Sequence, residues 1–174
     1  MESKAKLAGH PIHQMLIVLP LGLLVMAVLF DIIRMFTGVT ALATVSYYNI
    51  LAGVISGLVA AVFGLVDWLA IPQNTRAKSV GMWHGLGNVL VVVLFAVSWW
   101  LRRGEASFVP SNVAFAIGLV GLLLGTVTGW LGGELVDRLG VGVDPGANLD
   151  APSSLKAPPP GSDMTTIRQR GTSL

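Results

Sequence analysis

Four long stretches, each nearly free of charge, constrain this chain more than any other feature. They cover about residues 13–36, 47–71, 79–101 and 112–136. Met15 to Phe30 carries no charge, and the second stretch carries none before Asp67. At about 1.5 Å per residue each is long enough to cross the roughly 30 Å hydrocarbon layer of a bilayer. No water is present there to pair a bare N–H or C=O, so such stretches fold as helices. The expected fold is all-α, an integral membrane four-helix bundle spanning residues 1–139. The connections, 37–46, 72–78 and 102–111, are short and hold Pro72, Gly104 and Pro110.

Composition agrees. Charged residues make up 11% of the 174-residue chain, against about 25% in a soluble domain. Mean hydropathy is +0.74. A soluble monomer could not cover its surface with so few charges. The net charge of +2 is too small for a nucleic-acid interface. With no cysteine the chain has no disulfide, thiol nucleophile, c-type haem attachment or iron–sulfur ligation of its own. Lys4 and Lys6 before an apolar run, with Ala41-Leu42-Ala43 beyond, imitate a signal peptide. That reading fails because the run is too long and Asp31 and Arg34 interrupt it. After Leu139 the apolar pattern stops. Residues 140–174, with Asp144-Pro145-Gly146 and Pro158-Pro159-Pro160, read as a disordered tail.

Four spans put both termini on one side, here side X, opposite side Y. Trp68, Trp83 and Trp130 fall at X-side ends, and Tyr47, Tyr48, Trp99 and Trp100 at Y-side ends. Lys4, Lys6, Arg76, Lys78 and Arg138 face X, and Arg34, Arg102 and Arg103 face Y. The positive-inside rule makes X the cytoplasmic side.

The halves resemble each other. Gly57-Leu58-Val59, Gly64 and Trp68 in the second span parallel Gly118-Leu119-Val120, Gly125 and Trp130 in the fourth. His13 and His84 open the first and third spans. This suggests two helical hairpins related by a pseudo-two-fold along the membrane normal. Small-residue stripes, Gly53/Gly57/Ala61 and Gly121/Gly125/Gly129/Gly133, read as helix-packing surfaces and leave a homo-oligomer open.

Polar residues are distributed unevenly. His10, His13, His84, Asp67, Asn88, Glu134 and Asp137 all lie toward X. On the Y side the one intramembrane carboxylate is Asp31, and Arg34 at i+3 is its expected local partner. Counted back from Arg34 and Arg102, His13 and His84 lie at depths only about 4–5 Å apart. Facing each other across the pseudo-axis, they would hold one central ligand. Gly81, Gly85 and Gly87 beside His84 leave room for something bulky. Three readings follow: axial ligation of a haem b by two of the histidines; a transition-metal ion held by His10, His13 and His84 with Asp67 or Glu134; or a cofactor-free polar cap. Ionisable groups inside a membrane are usually functional, which favours a site. Asp67, Trp68, Asn88 and Glu134 would support it or contact a quinone.

Gly9-His10-Pro11-Ile12-His13, Gly64-Leu65-Val66-Asp67-Trp68, Trp83-His84 with Asn88, and Gly132-Gly133-Glu134-Leu135-Val136 together resemble a bacterial membrane family, domain-of-unknown-function family 2231. The resemblance runs from about Gly9 to Val143. Family members usually carry Pro directly after the second His, where this chain has Gln14. The family supplies no activity to carry over. Some members look fused to a Rieske-type iron–sulfur domain, which implies electron transfer nearby, through a separate partner in this case. The resulting expectation is a bacterial inner-membrane subunit that binds one haem b near the cytoplasmic face through His13 and His84, with His10 as substitute. A non-catalytic scaffold or accessory subunit is the alternative.

Overall fold

The structure is a computed structural model and describes residues 1–155. Two short strands, β1 (Lys6–Leu7) and β2 (His10–Pro11), pair antiparallel as a small hairpin. Five helices follow: α1 (Ile12–Leu16), α2 (Val18–Thr37), α3 (Ala41–Ala70), α4 (Arg76–Leu101) and α5 (Asn112–Gly133). A 3₁₀ turn at Ala106–Phe108 precedes α5, and a π-helical turn at Glu134–Arg138 extends it. Helices α1 and α2 together form the first span, so among the described residues four helical segments are long and apolar enough to cross a membrane.

Local chemistry sets the ends. Pro20 has no N–H for the carbonyl of Leu16, and the helix breaks at Ile17 between α1 and α2. Gly38 adopts the left-handed conformation (φ 71°) that closes α2. Pro72 keeps Ile71 extended and ends α3. Thr75 and Ser111 cap α4 and α5, accepting from Lys78 N and Ala114 N at 3.1 and 3.2 Å.

One boundary differs from the sequence expectation. Helix α3 starts at Ala41, so the first loop is only residues 38–40 and not 37–46. The last residue of the expected loop, Ser46, is inside the bundle and fully buried. At the other end, residues 140–155 form turns that touch the N-terminus. Met1 donates its ammonium to Gly140 O at 2.7 Å, and Ser154 Oγ donates to Ala8 O at 3.1 Å. The rest of the expected tail, 156–174, lies outside the described residues.

The bundle is two hairpins. Helix α2 packs along α3 and α4 along α5, while α3–α4 and α2–α5 contacts close the ring. The core holds Leu24, Ala27, Val28, Ile50, Val91 and Phe95. Within the 18-residue apolar stretch of each span only 17–22% of residues are buried inside the protein. The outer surface is therefore apolar, as hydrocarbon solvent requires.

The pseudo-two-fold is visible in matched contacts. Leu24 packs onto Gly53, where a Cβ would lie 2.6 Å from its Cδ2; Phe95 packs onto Gly121, where the distance would be 3.0 Å to Cε2. His13 and His84 seat on Gly64 and Gly132 in the same way. The matched pairs set the register, and it is one heptad away from the sequence reading. Gly57 corresponds to Gly125 and Gly64 to Gly132, rather than Gly118 and Gly125. Trp130 had suggested the other alignment, but it points to lipid, while Trp68 packs onto Gly81.

Candidate functional site

Both imidazoles are placed by the same device, built twice. A helical side chain covers the turn on its N-terminal side. A glycine four residues on therefore leaves a backbone carbonyl uncovered. Gly64 exposes Ala60 O, and His13 Nδ1 donates to it at 2.8 Å. Gly132 exposes Thr128 O, and His84 Nδ1 donates to it at 2.8 Å. A carbonyl only accepts, so each Nδ1 carries a proton, and in the neutral imidazole the free lone pair is then on Nε2. The two ring centres lie 6.4 Å apart, with planes at 88°. Sequence reasoning placed the two histidines at one depth, and the structure brings them together.

Asn88 stands one turn beyond His84. It donates Nδ2–H to His84 O at 2.9 Å, lies 3.2 Å from His84 Nε2, and accepts from Thr128 Oγ1 at 2.9 Å. Thr128 was not singled out in the sequence; its repeat mate Ala60 has no hydroxyl, so no internal match points to it.

The other candidates are elsewhere. His10 is exposed on β2 and its Nε2 meets Ser154 Oγ at 3.3 Å. Among the described residues no three His, Cys, Asp or Glu side chains gather as a metal-binding group. The three-histidine cluster with Asp67 or Glu134 is therefore not assembled. Glu134 accepts from Arg76 Nη2 at 2.6 Å, pinning the π turn to the start of α4. Asp67 receives the N-terminal segment: Ser3 Oγ lies 2.8 Å from both carboxylate oxygens, and Lys4 N donates at 2.7 Å. Trp68 Nε1 donates to Lys78 O at 3.1 Å, and Lys78 Nζ returns a bond to Trp68 O at 2.8 Å. The space beside His84 is largely filled by the protein. Trp68 occupies the notch at Gly81 and Thr128 that at Gly87, and only Gly85 is open.

At the Y end the ion pair is not the local one. Asp31 pairs with Arg102, with Nη2–Oδ2 at 2.7 Å and Nη1–Oδ1 at 3.1 Å, both side chains 1% exposed. Ser46 and Ser98 hydroxyls accept from the same guanidinium at 3.0 and 3.2 Å. Asp31 faces the bundle interior, so its partner comes from the opposite hairpin and not from Arg34. Asp31 and Arg102 are separated by 71 positions, as are His13 and His84. The ion pair thus joins repeat-equivalent positions. An exact two-fold would set like charges together there; the divergence of the two halves allows attraction instead.

The bilayer is the environment of these groups, and comparison with known proteins agrees. The family model described as a predicted membrane protein, DUF2231, matches residues 9–145. No curated protein and no solved structure matches the chain. With most of its length covered, including both histidine seats, the chain belongs to the DUF2231 family of predicted membrane proteins.

Proposed function

We propose that this multi-pass membrane protein is a small electron-transfer subunit in which His13 and His84 would hold the iron of one haem b. The observation that carries the reading is the spacing of the imidazole pair. The rings stand at 6.4 Å. An Nδ1–H bonded to a carbonyl is also the usual support of a metal-ligating histidine. Two protein ligands suffice for a haem iron, whereas zinc sites take three or four. A bound haem would supply one-electron chemistry. If a haem were held there, the Asn88 amide 3.2 Å from His84 Nε2 would have to give way, while its bonds to His84 O and Thr128 would still place it. The location is the X, cytoplasmic, end of a bacterial inner-membrane protein. Its exchange partner is a quinone or a separate protein such as a Rieske-type iron–sulfur protein, because this chain has no cysteine.

A second reading has its own support. The imidazoles fill the Gly64 and Gly132 notches themselves, which suits a cofactor-free lock between helices in a scaffold or accessory subunit. Oxidised and dithionite-reduced spectra of protein expressed with added haem separate the two. A Soret band, sharp reduced α and β bands and one iron per chain are expected. A colourless, iron-free protein overturns the haem reading.

A further inference from the structure

We infer that residues 1–16 form a hinged strap, latched at Asp67, whose position sets where His13 stands relative to His84. The consequence for a bound group rests on the reading above; the motion itself does not.

Three observations converge. The first is the asymmetry of the two histidines. His84 stands inside the unbroken helix α4, at whose Pro20-equivalent position there is Val91. His13 stands on the single short helix α1, cut from α2 at Ile17 because Pro20 cannot bond Leu16 O. One imidazole is therefore on a rigid element and its mate on a detachable one.

The second is what holds α1. Its first amide, Ile12 N, donates to Ala5 O of the N-terminal segment at 2.9 Å. Beyond that, its polar hold on the bundle is the His13–Ala60 bond. The placement of α1 thus depends on the segment before it.

The third is what holds that segment. Asp67 lies one turn beyond Gly64, the His13 seat, on the same helix. Its carboxylate gathers Ser3 Oγ, Lys4 N at 2.7 Å and Ala5 N at 3.4 Å. Ser3 is only 5% exposed. Bonds to an ionised acceptor are the stronger kind. A second tether joins Met1 to Gly140 and Gly142. The second hairpin has no counterpart, since only residues 71–75 precede α4. Opening at Asp67 with rotation at Ile17 withdraws His13 while His84 stays, which exposes the pair from the X side.

Hydrogen exchange read by mass spectrometry, on the full chain in lipid nanodiscs without added haem, tests this. In Asp67→Ala the amides of residues 3–16 exchange about tenfold faster or more, the loss expected for bonds to a charged acceptor. Residues 78–83, at the X end of α4, keep their rate. Asp67→Asn retains an acceptor oxygen and falls between. Pro20→Ala closes the helix across Ile17 and slows exchange of residues 12–17. An unchanged strap in Asp67→Ala, or equal acceleration in residues 78–83, overturns the latch. An unslowed Pro20→Ala overturns the hinge. Neither result depends on a cofactor, so failure here and failure of the haem reading are distinguishable.

Discussion

Removing one member of the Asp31–Arg102 pair should damage the bundle far more than removing both. Each side chain is 1% exposed, both carboxylate oxygens lie against the guanidinium, and Ser46 and Ser98 accept from its two terminal nitrogens. Asp31→Ala leaves a buried cation with two hydroxyls and no counter-charge. Arg102→Ala leaves a buried carboxylate. Breaking a buried pair in this way costs about 3–5 kcal/mol. The double variant Asp31→Leu/Arg102→Leu removes both charges and fills the space with apolar atoms, which is often neutral. Its cost is expected within about 2 kcal/mol of the wild type, at least about 3 kcal/mol below the summed costs of the matched singles Asp31→Leu and Arg102→Leu, and that difference is the coupling the cycle reports. Reversible SDS-driven unfolding in mixed micelles, followed by fluorescence of the five tryptophans, measures each corner. Arg34→Ala is the control and should cost about 1 kcal/mol or less, as expected of an interfacial charge. An Asp31→Ala cost below about 1 kcal/mol, or an Arg34→Ala cost equal to that of Arg102→Ala, refutes the cross-bundle pairing.

Other consequences follow from the histidine seats. A Cβ at Gly64 would lie 2.8 Å from His13 Cε1, and one at Gly132 3.0 Å from His84 Cε1. Gly64→Ala and Gly132→Ala should each destabilise by about 1–3 kcal/mol in the same unfolding assay. Gly129→Ala meets nothing within 4 Å and should be neutral or slightly stabilising. Asn88→Leu removes one of the two acceptors of the Thr128 hydroxyl, leaving Gly125 O at 3.1 Å, and should cost about 1 kcal/mol or less in that assay. A cost above about 2 kcal/mol there means that Gly125 O does not take over the hydroxyl.

The spans were legible in the sequence because hydrocarbon imposes a rule that local context cannot override. Their edges were less so. Thr44 and Ser46 fall in the stretch read as a loop, yet in a bundle a small hydroxyl can point inward, and Ser46 does so to meet Arg102. The partner of Asp31 was not legible. Spacing along one helix favours Arg34, whereas the angle at which Asp31 enters the bundle favours Arg102, and only packing sets that angle. The duplication was visible but misregistered. Trp68 and Trp130 are alike in type and unlike in role, one packed onto Gly81 and the other facing lipid. The glycines are a cleaner guide, since each matched one marks a seat for a named side chain. Read that way, the Gly64 and Gly132 match identifies both histidines and the carbonyls they bind. The glycines around His84 misled in the opposite sense, because Trp68 and Thr128 take up room that composition alone leaves empty.

The central claim is that His13 and His84 act as one site on the pseudo-axis, with His10 outside it. The most direct measurement is the reduced-minus-oxidised difference spectrum of His13→Ala, His84→Ala and His10→Ala beside the wild type, each expressed with added haem. The α band should disappear in the first two and persist in His10→Ala. A band that survives in His84→Ala, or that His10→Ala abolishes, contradicts the account, as does a wild-type protein with no band at all.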